Sequence, residues 1–441
     1  MNGRQSTGRR RDRKMVRLAV PALGALAAEP LYILVDTAIV GHLGTRELAA
    51  LALAATVLVA VVSLCNFLAY GTTAQVARLH GAGQSDRAAE IAAQALWLSL
   101  AIGVALAIIV AALAHPLMLV IGGTGEAATL AERYLRLSAP GLPFALVALA
   151  GQGYLRGVDR LRVPLVILVV SNLVNVVLEV VLVYGLDLGL DGSAVGTVVA
   201  QAGMGVAFAV LLLRAGGPGV GRRPRWADQR TLLRLGGDLL VRTGSLLAAF
   251  TLAGAVLART GSAALAAHQI AFQLFVFLAL VLDSIAIAGQ VIVGRSLGAG
   301  DAEGAWAAAR RMVWWSLGVG CVFALGLLAL TDLLPRVFTG DDAVLEQARD
   351  LWPLFALLQP AGAMVFALDG VLIGAGDTRF IAKAMAFSAL VCFAPVVIAA
   401  HVFDWGVVGV WAALNVLMLA RLTTMAVRFR GRRWAVVGAT P

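Results

Sequence analysis

Apolar segments of about 20 residues recur along the whole chain, separated by short breaks that carry charged residues. A helix of ~20 apolar residues crosses the hydrocarbon core of a bilayer, whereas a membrane-spanning strand alternates apolar and polar positions over about ten residues. The pattern therefore predicts an all-α membrane protein with twelve transmembrane helices. The predicted spans are 17–41, 48–72, 90–114, 134–157, 163–185, 191–214, 234–258, 264–292, 308–331, 350–374, 380–402 and 406–427.

The composition agrees with a membrane protein. Hydrophobic residues make up 60% of the 441 positions, charged residues make up 14%, and the mean hydropathy is +0.89. A soluble domain carries roughly 25% charged residues on its surface. These values exclude a large soluble helical protein.

The net charge of +10 is distributed according to topology. Most of the 35 Lys and Arg residues lie in the two tails, in the even-numbered connections, or at the helix ends beside them. Basic residues accumulate on the cytoplasmic side of membrane proteins, so we predict a multi-pass protein with both termini in the cytoplasm. We therefore predict that the protein contacts a lipid bilayer and does not bind nucleic acid. The Ala, Gly, Arg and Leu content favours a bacterial plasma membrane.

Two halves of the chain resemble each other. Gly44 and Gly261 lie 217 positions apart (261 − 44), and so do Gly81 and Gly298 (298 − 81). A Gly/Pro/Arg-rich connection separates the halves. Because six helices per half is an even number, both halves enter the membrane in the same direction, which predicts a parallel internal repeat with a substrate cavity between two lobes. The predicted division is a basic tail at 1–16, an N-terminal lobe at 17–215, a linker at 216–233, a C-terminal lobe at 234–428 and a tail at 429–441.

Polar side chains within the spans form stripes on three helices of the first half. Spacings of three and four residues place side chains on one helix face. The stripes are Glu29, Tyr32 and Asp36 on helix 1, Asn172, Asn175 and Glu179 on helix 5, and Thr197 and Gln201 on helix 6. Such stripes can meet in one pocket, where neighbouring carboxylates would take up a proton or oxygen donors would bind Na⁺. A purely structural hydrogen-bond network is the alternative.

The second half carries different charges. Asp238 and Arg242 are four residues apart and are predicted to form an ion pair. Asp283 and Asp369 have no partner nearby in the sequence, and Arg242 is a candidate partner for either. These side chains are candidates for shaping the substrate cavity. Ala253 stands where the repeat would place a counterpart of Asp36, so we predict the ion site in the first half alone.

Several stretches resemble the multidrug and toxic compound extrusion (MATE) transporters of the DinF branch. The resemblance is carried by residues 30–44, by Gly236, Asp238, Arg242 and Thr243, by Asp283 with Ala286 and Gln290, and by residues 368–378. It implies two six-helix lobes around a V-shaped cavity. It also implies export of amphipathic, often cationic, small molecules in exchange for H⁺ or Na⁺.

The resemblance further implies a coupling-ion site. Its residues match Asp36, Asn175, Glu179 and Thr197 here, although Glu179 stands where the family has Asp. The Glu side chain is one methylene longer than that of Asp, so its carboxylate extends farther from the backbone.

The sequence leaves three functions to compare. The leading prediction is a monomeric secondary antiporter that exports amphipathic or cationic compounds by alternating access. The alternative is a flippase for lipid-linked or amphipathic lipid substrates, and a channel or receptor ranks below both. The spans contain no nucleotide-binding loop, His-rich metal motif or Ser/Lys dyad, so we predict no enzyme activity and no cofactor beyond the coupling ion.

Overall fold

The computed structural model describes residues 2–440, with side chains from Met15 onward. Within this range the regular structure is helical, and twelve helices are long and apolar enough to cross a membrane. They are α1 (Asn2–Gly41), α2 (Thr45–Gly81), α3 (Ser85–Ala112), α4 (Gly125–Gly157), α5 (Arg162–Gly185), α6 (Gly189–Leu213), α7 (Trp226–Thr260), α8 (Ser262–Gly298), α9 (Ala302–Ala329), α10 (Asp342–Gly374), α11 (Thr378–Val402) and α12 (Gly406–Arg430). The prediction of an all-α protein with twelve membrane-spanning helices is confirmed. The side chains of the predicted basic tail lie outside the described residues, apart from Met15 and Val16.

The helices are irregular at a few places that the hydropathy pattern did not predict. Helix α2 is interrupted at Cys65 and Asn66. Helix α5 ends in a π-helical turn at Val180–Gly185, directly after Glu179, and α11 contains a second π-helical turn at Ser388–Phe393. Because a π turn displaces the side chains that flank it, such turns often occur at functional sites.

The chain folds into two compact units. Val20–Gly236 forms the N-terminal unit, and the chain from Gly237 onward, together with the part of α1 up to Ala19, forms the C-terminal unit. Before α7 begins at Trp226, the connection from α6 binds to α3: Gln94 Nε2 donates to the carbonyl of Arg223 at 2.8 Å, and Trp97 Nε1 donates to the carbonyl of Arg222 at 2.8 Å.

The internal repeat is present in the backbone. Helices α6 and α12 each contain 25 residues, and their first residues are 217 positions apart (406 − 189). The same offset relates left-handed backbone positions: Gly83 and Gly300 have φ of 75° and 81°, and Asp187 and Asp404 have φ of 55° and 51°. Each unit therefore repeats the same order of helices and turns.

Close helix packing within each unit depends on glycine. Gly153 of α4 packs against Ala69 of α2, and Gly370 of α10 packs against Ala286 of α8. A Cβ atom at Gly153 would lie 2.6 Å from the Ala69 carbonyl oxygen, and one at Gly370 would lie 2.7 Å from the Ala286 carbonyl carbon. Small residues allow helix backbones to approach in this way, and dispersion contacts then hold the helices together inside a bilayer.

We predict that Gly370→Ala destabilises the protein, because its methyl group meets backbone that cannot move aside. Overpacking of this kind costs about 1–3 kcal/mol. To measure the effect, the purified protein is heated in detergent, and the fraction that remains monodisperse is determined at each temperature. The control is Gly326→Ala on α9, where an added Cβ meets no atom within 4 Å. An equal unfolding midpoint for both variants would contradict the packing argument.

Candidate functional site

Three helices of the N-terminal unit bring polar side chains together. Asp36 comes from α1, Asn175 and Glu179 come from α5, and Thr197 comes from α6. All four side chains are buried: Asp36 is 6% exposed, Asn175 2%, Glu179 0% and Thr197 7%. The residues that the resemblance pointed to therefore form one cluster, which we call the acidic cluster.

Each carboxylate of the acidic cluster accepts hydrogen bonds through one of its oxygen atoms. Ser193 Oγ donates to Asp36 Oδ1 at 2.8 Å. Asn175 Nδ2 donates to Glu179 Oε1 at 2.5 Å, and Thr197 Oγ1 donates to the same oxygen at 3.4 Å. The Asp36 and Glu179 carboxyl groups lie close enough to interact electrostatically. Both acidic groups are thus oriented by the fold, and they face each other.

Two oxygen atoms in the cluster have no hydrogen-bond partner among the described residues. They are Glu179 Oε2 and Asn175 Oδ1, and both are buried. A buried polar atom without a partner costs free energy, so such atoms call for a proton, an ion or a water molecule. The donors present are carboxylate, amide and hydroxyl oxygens, which suit a hard cation. Among the described residues no group of three or more His, Cys, Asp and Glu side chains could hold a metal ion.

Two cavities open beside the cluster in the same unit. One of about 240 Å³ is lined by Asp36 and Tyr134, and the other of about 140 Å³ is lined by Asn172 and Asn175. Glu29, Tyr32, Thr197 and Gln201 line both. The hydrogen bond between Tyr32 OH and Thr197 Oγ1, at 2.9 Å, joins two side chains that both cavities share.

The supporting residues predicted in the N-terminal half lie at this place. Tyr32, Asn172 and Gln201 all line at least one of the cavities. Asn172 Nδ2 also donates to the backbone carbonyl of Ala28 at 2.9 Å, which ties α5 to α1.

Two polar residues of the site were missed in the sequence analysis. Ser193 precedes Thr197 by four residues on α6, so the helical spacing already placed it on the same face. Tyr134 lies on α4 and belongs to none of the polar stripes, and only the fold shows that it lines the larger cavity.

The charged residues of the C-terminal unit form a separate cluster. Asp369 Oδ2 accepts hydrogen bonds from Arg242 Nη2 at 2.6 Å and from Arg421 Nη2 at 2.7 Å. The predicted Asp238–Arg242 ion pair is wrong, because Asp238 instead accepts a hydrogen bond from Thr378 Oγ1 at 2.8 Å. The physical reason is that Asp369 is buried deep in α10, where an isolated carboxylate is expensive, and Arg242 reaches it.

Arg421 was overlooked because it is close to the end of the last predicted span. In the structure it lies inside α12 and is 1% exposed. Arg421 therefore adds a second base to the buried charges of the C-terminal unit. Asp283 lies on α8, partly buried, and belongs to the C-terminal unit.

The repeat shows that the fold itself does not require the acidic cluster. The positions equivalent to Asp36, Ser193 and Thr197 in the C-terminal unit are Ala253, Val410 and Leu414 (each +217). These three residues are fully buried members of one hydrophobic core. The same helices thus pack stably around apolar side chains, which argues against a purely structural role for the polar ones.

Comparisons with known proteins agree with this geometry. The sequence profile of the MatE family matches residues 21–181 and 245–398. The chain is 32% identical to Protein DETOXIFICATION 44, chloroplastic, of Arabidopsis thaliana, over 97% of this chain and 84% of that protein. It is 30% identical to the DNA damage-inducible protein F of Escherichia coli, over 96% of this chain and 93% of that protein.

A third relative and a solved structure complete the comparison. A probable multidrug resistance protein NorM of Bradyrhizobium diazoefficiens is 32% identical, over 96% of this chain and 94% of that protein. The crystal structure of a MATE protein in a bent conformation superposes with a TM-score of 0.87 at 21% identity, covering 97% of this chain and 95% of that one. The chain is a multi-pass membrane transporter and not an enzyme. It belongs to the MatE family, the MATE multidrug efflux transporters.

Proposed function

We propose that this transporter is a secondary active antiporter that exports amphipathic, cationic small molecules in exchange for protons. The observation that supports this is the acidic cluster: two buried carboxyl groups that face each other, Asp36 and Glu179, beside cavities in the N-terminal unit. In the proposal, Asn175 and Thr197 orient Glu179, and Ser193 orients Asp36.

Protons can drive export through this cluster. Two ionised carboxylates in a membrane interior repel each other, and a shared proton relieves that repulsion. A proton taken from outside makes the N-terminal unit less negative and weakens its hold on a cation, so the cation is released outside. Loss of the proton to the cytoplasm restores the negative charge and the affinity. The proton and the cationic substrate each neutralise the same negative charge, so the binding of one weakens the binding of the other in an alternating-access cycle.

Sodium is the other coupling ion that the same atoms suit. The unpartnered Glu179 Oε2 and Asn175 Oδ1 offer a carboxylate and an amide oxygen to a hard cation. We favour the proton because the two buried carboxyl groups interact electrostatically, and a shared proton relieves their repulsion.

We further propose a monomer in a bacterial plasma membrane with both termini in the cytoplasm. The distribution of Lys and Arg supports this orientation. Two of the relatives described above come from bacteria, and one plant relative has a name that places it in the chloroplast.

A lipid flippase is the second candidate, and the Arg242–Asp369–Arg421 cluster is the observation that favours it. The guanidinium groups of Arg242 and Arg421 lie there beside Asp369, and guanidinium groups are the side chains that suit a phosphate-bearing substrate. A structural neighbour from Pyrococcus furiosus, 21% identical, is a transporter whose binding pocket has reverse polarity, which suggests a different function for that protein.

We expect a pH gradient alone to drive export of a fluorescent organic cation from proteoliposomes that contain the purified protein. The acidic cluster needs only a proton to change its charge. The measurement compares flux under an imposed pH gradient with flux under a Na⁺ gradient at constant pH. A strict requirement for Na⁺ would make the cluster a sodium site. If no tested cation moves under either gradient, while a fluorescent phospholipid changes leaflet, the flippase is favoured.

We predict that Asp36→Asn abolishes gradient-driven export and leaves the protein folded. The amide keeps the shape of the side chain but cannot carry the proton or its charge. Flux under the pH gradient should fall to that of protein-free liposomes, and the elution profile and thermal unfolding should match those of the unaltered protein. The control is Asp404→Asn, which changes an exposed loop residue whose left-handed backbone (φ 51°) suits Asn. Export by Asp36→Asn at the unaltered rate would remove Asp36 from the mechanism.

A further inference from the structure

Glu29 is a carboxylate in the middle of a membrane span and outside the acidic cluster. It lies 12 residues after the start and 12 before the end of the first predicted span, 17–41. With a helical rise of about 1.5 Å per residue, it is roughly 20 Å from either end. Its side chain is exposed, and none of the described residues forms a hydrogen bond or an ion pair with it. A mid-membrane carboxylate in this state is expensive and calls for a ligand or water.

The surroundings of Glu29 are those of a binding site for an amphipathic molecule. It lines both cavities of the N-terminal unit, together with the Tyr32 ring and the Gln201 amide. The remaining walls near it are largely apolar, with Val62 shared by both cavities and Met204 in the smaller one. Ligand sites of this kind combine apolar walls with a few polar groups that fix orientation.

Glu29 is separate from the acidic cluster. It precedes Asp36 by seven residues, two helical turns, which is roughly 10 Å along α1. Asp36 and Glu179 face each other and are held by Ser193, Asn175 and Thr197, whereas Glu29 has none of these contacts.

The fold has no need of a carboxylate at this place. The equivalent residue in the C-terminal unit is Leu246 (29 + 217), which packs against the hydrophobic core of that unit. An apolar side chain is therefore compatible with the helix packing, and the acid at Glu29 requires another reason.

We propose that Glu29 is the residue that selects cationic substrates: its carboxylate pairs with the positively charged nitrogen of the substrate, while the apolar walls of the two cavities accommodate the rest of the molecule. Attraction between opposite charges is strong in a cavity of low polarity, and the Tyr32 ring adds a cation–π surface. This inference rests on the proposed export of cations and assigns substrate charge recognition and ion coupling to different carboxylates of one unit.

The test is equilibrium binding to the purified transporter in nanodiscs of phosphatidylcholine, a lipid without net charge. Two fluorophore-tagged ligands are compared: one carries a trimethylammonium group and the other its uncharged 3,3-dimethylbutyl isostere, which has the same shape. The unaltered protein should prefer the ammonium ligand. In Glu29→Gln the Kd for this ligand should rise about tenfold or more, since a contact to a charged group is lost, while the Kd for the isostere stays unchanged.

Two further variants make the result specific. Glu29→Asp keeps the charge and should retain most of the preference for the ammonium ligand. Glu47→Gln removes a carboxylate from the start of α2 that lines neither cavity, and it should behave like the unaltered protein.

The outcomes separate this inference from the function on which it rests. An unchanged preference in Glu29→Gln, or an equal loss for both ligands, overturns the role of Glu29, while cation export by the unaltered protein would leave the proposed function standing. If the unaltered protein neither binds nor exports the ammonium ligand, both proposals fail.

Discussion

The cost of charge inside a hydrocarbon layer is the constraint on which the other features of this transporter depend. Each buried carboxylate must be neutralised, and the two units do this differently. In the C-terminal unit Asp369 is bound permanently by two guanidinium groups of the protein. In the N-terminal unit Asp36 and Glu179 receive only neutral donors, which orient the carboxyl groups without cancelling their charge. Neutralisation there must come from a mobile species, and this difference makes one unit suited to coupling and the other to a fixed charge.

The internal repeat allows the two units to be compared position by position. The two units share equivalent helices, such as α6 and α12, and equivalent left-handed turns, but they carry different chemistry at equivalent positions. Where one unit has Asp36 and Thr197, the other has Ala253 and Leu414 within a continuous apolar core. The C-terminal unit also has a charged residue where the N-terminal unit has a neutral one. Asp369 is equivalent to Gln152, which lines the smaller cavity of the N-terminal unit. A common backbone therefore tolerates either set, which supports the functional role proposed for the polar residues.

Hydropathy and spacing predicted the fold well, because membrane helices follow from apolar length alone. The helical stripes also indicated the polar faces of α1, α5 and α6. What the sequence could not predict depends on distance in space. Arg421 lies near the end of α12 and looks like an interfacial residue until the packing of α12 places it on Asp369. In the same way, Arg242 has a suitable carboxylate four residues away, and only the tertiary structure shows that it binds another. The break in α2 at Cys65 and the π turn after Glu179 carry no hydropathy signal.

Two kinds of contact hold the helices of the N-terminal unit together. Gly153 and Gly157 pack α4 against α2 near the ends of both helices, and a single added methyl group would collide with Ala69 or Val76 there. The acidic cluster lies near the end of α1 and the start of α6, where hydroxyl and amide groups make contacts beside the close packing of Gly192 against Leu182. Backbone packing through glycine leaves little freedom, whereas hydrogen bonds between side chains can exchange partners when a proton or ion binds. The glycine contacts therefore fix the helix pairs, and the polar side chains are the part of the unit that can respond to a change of charge.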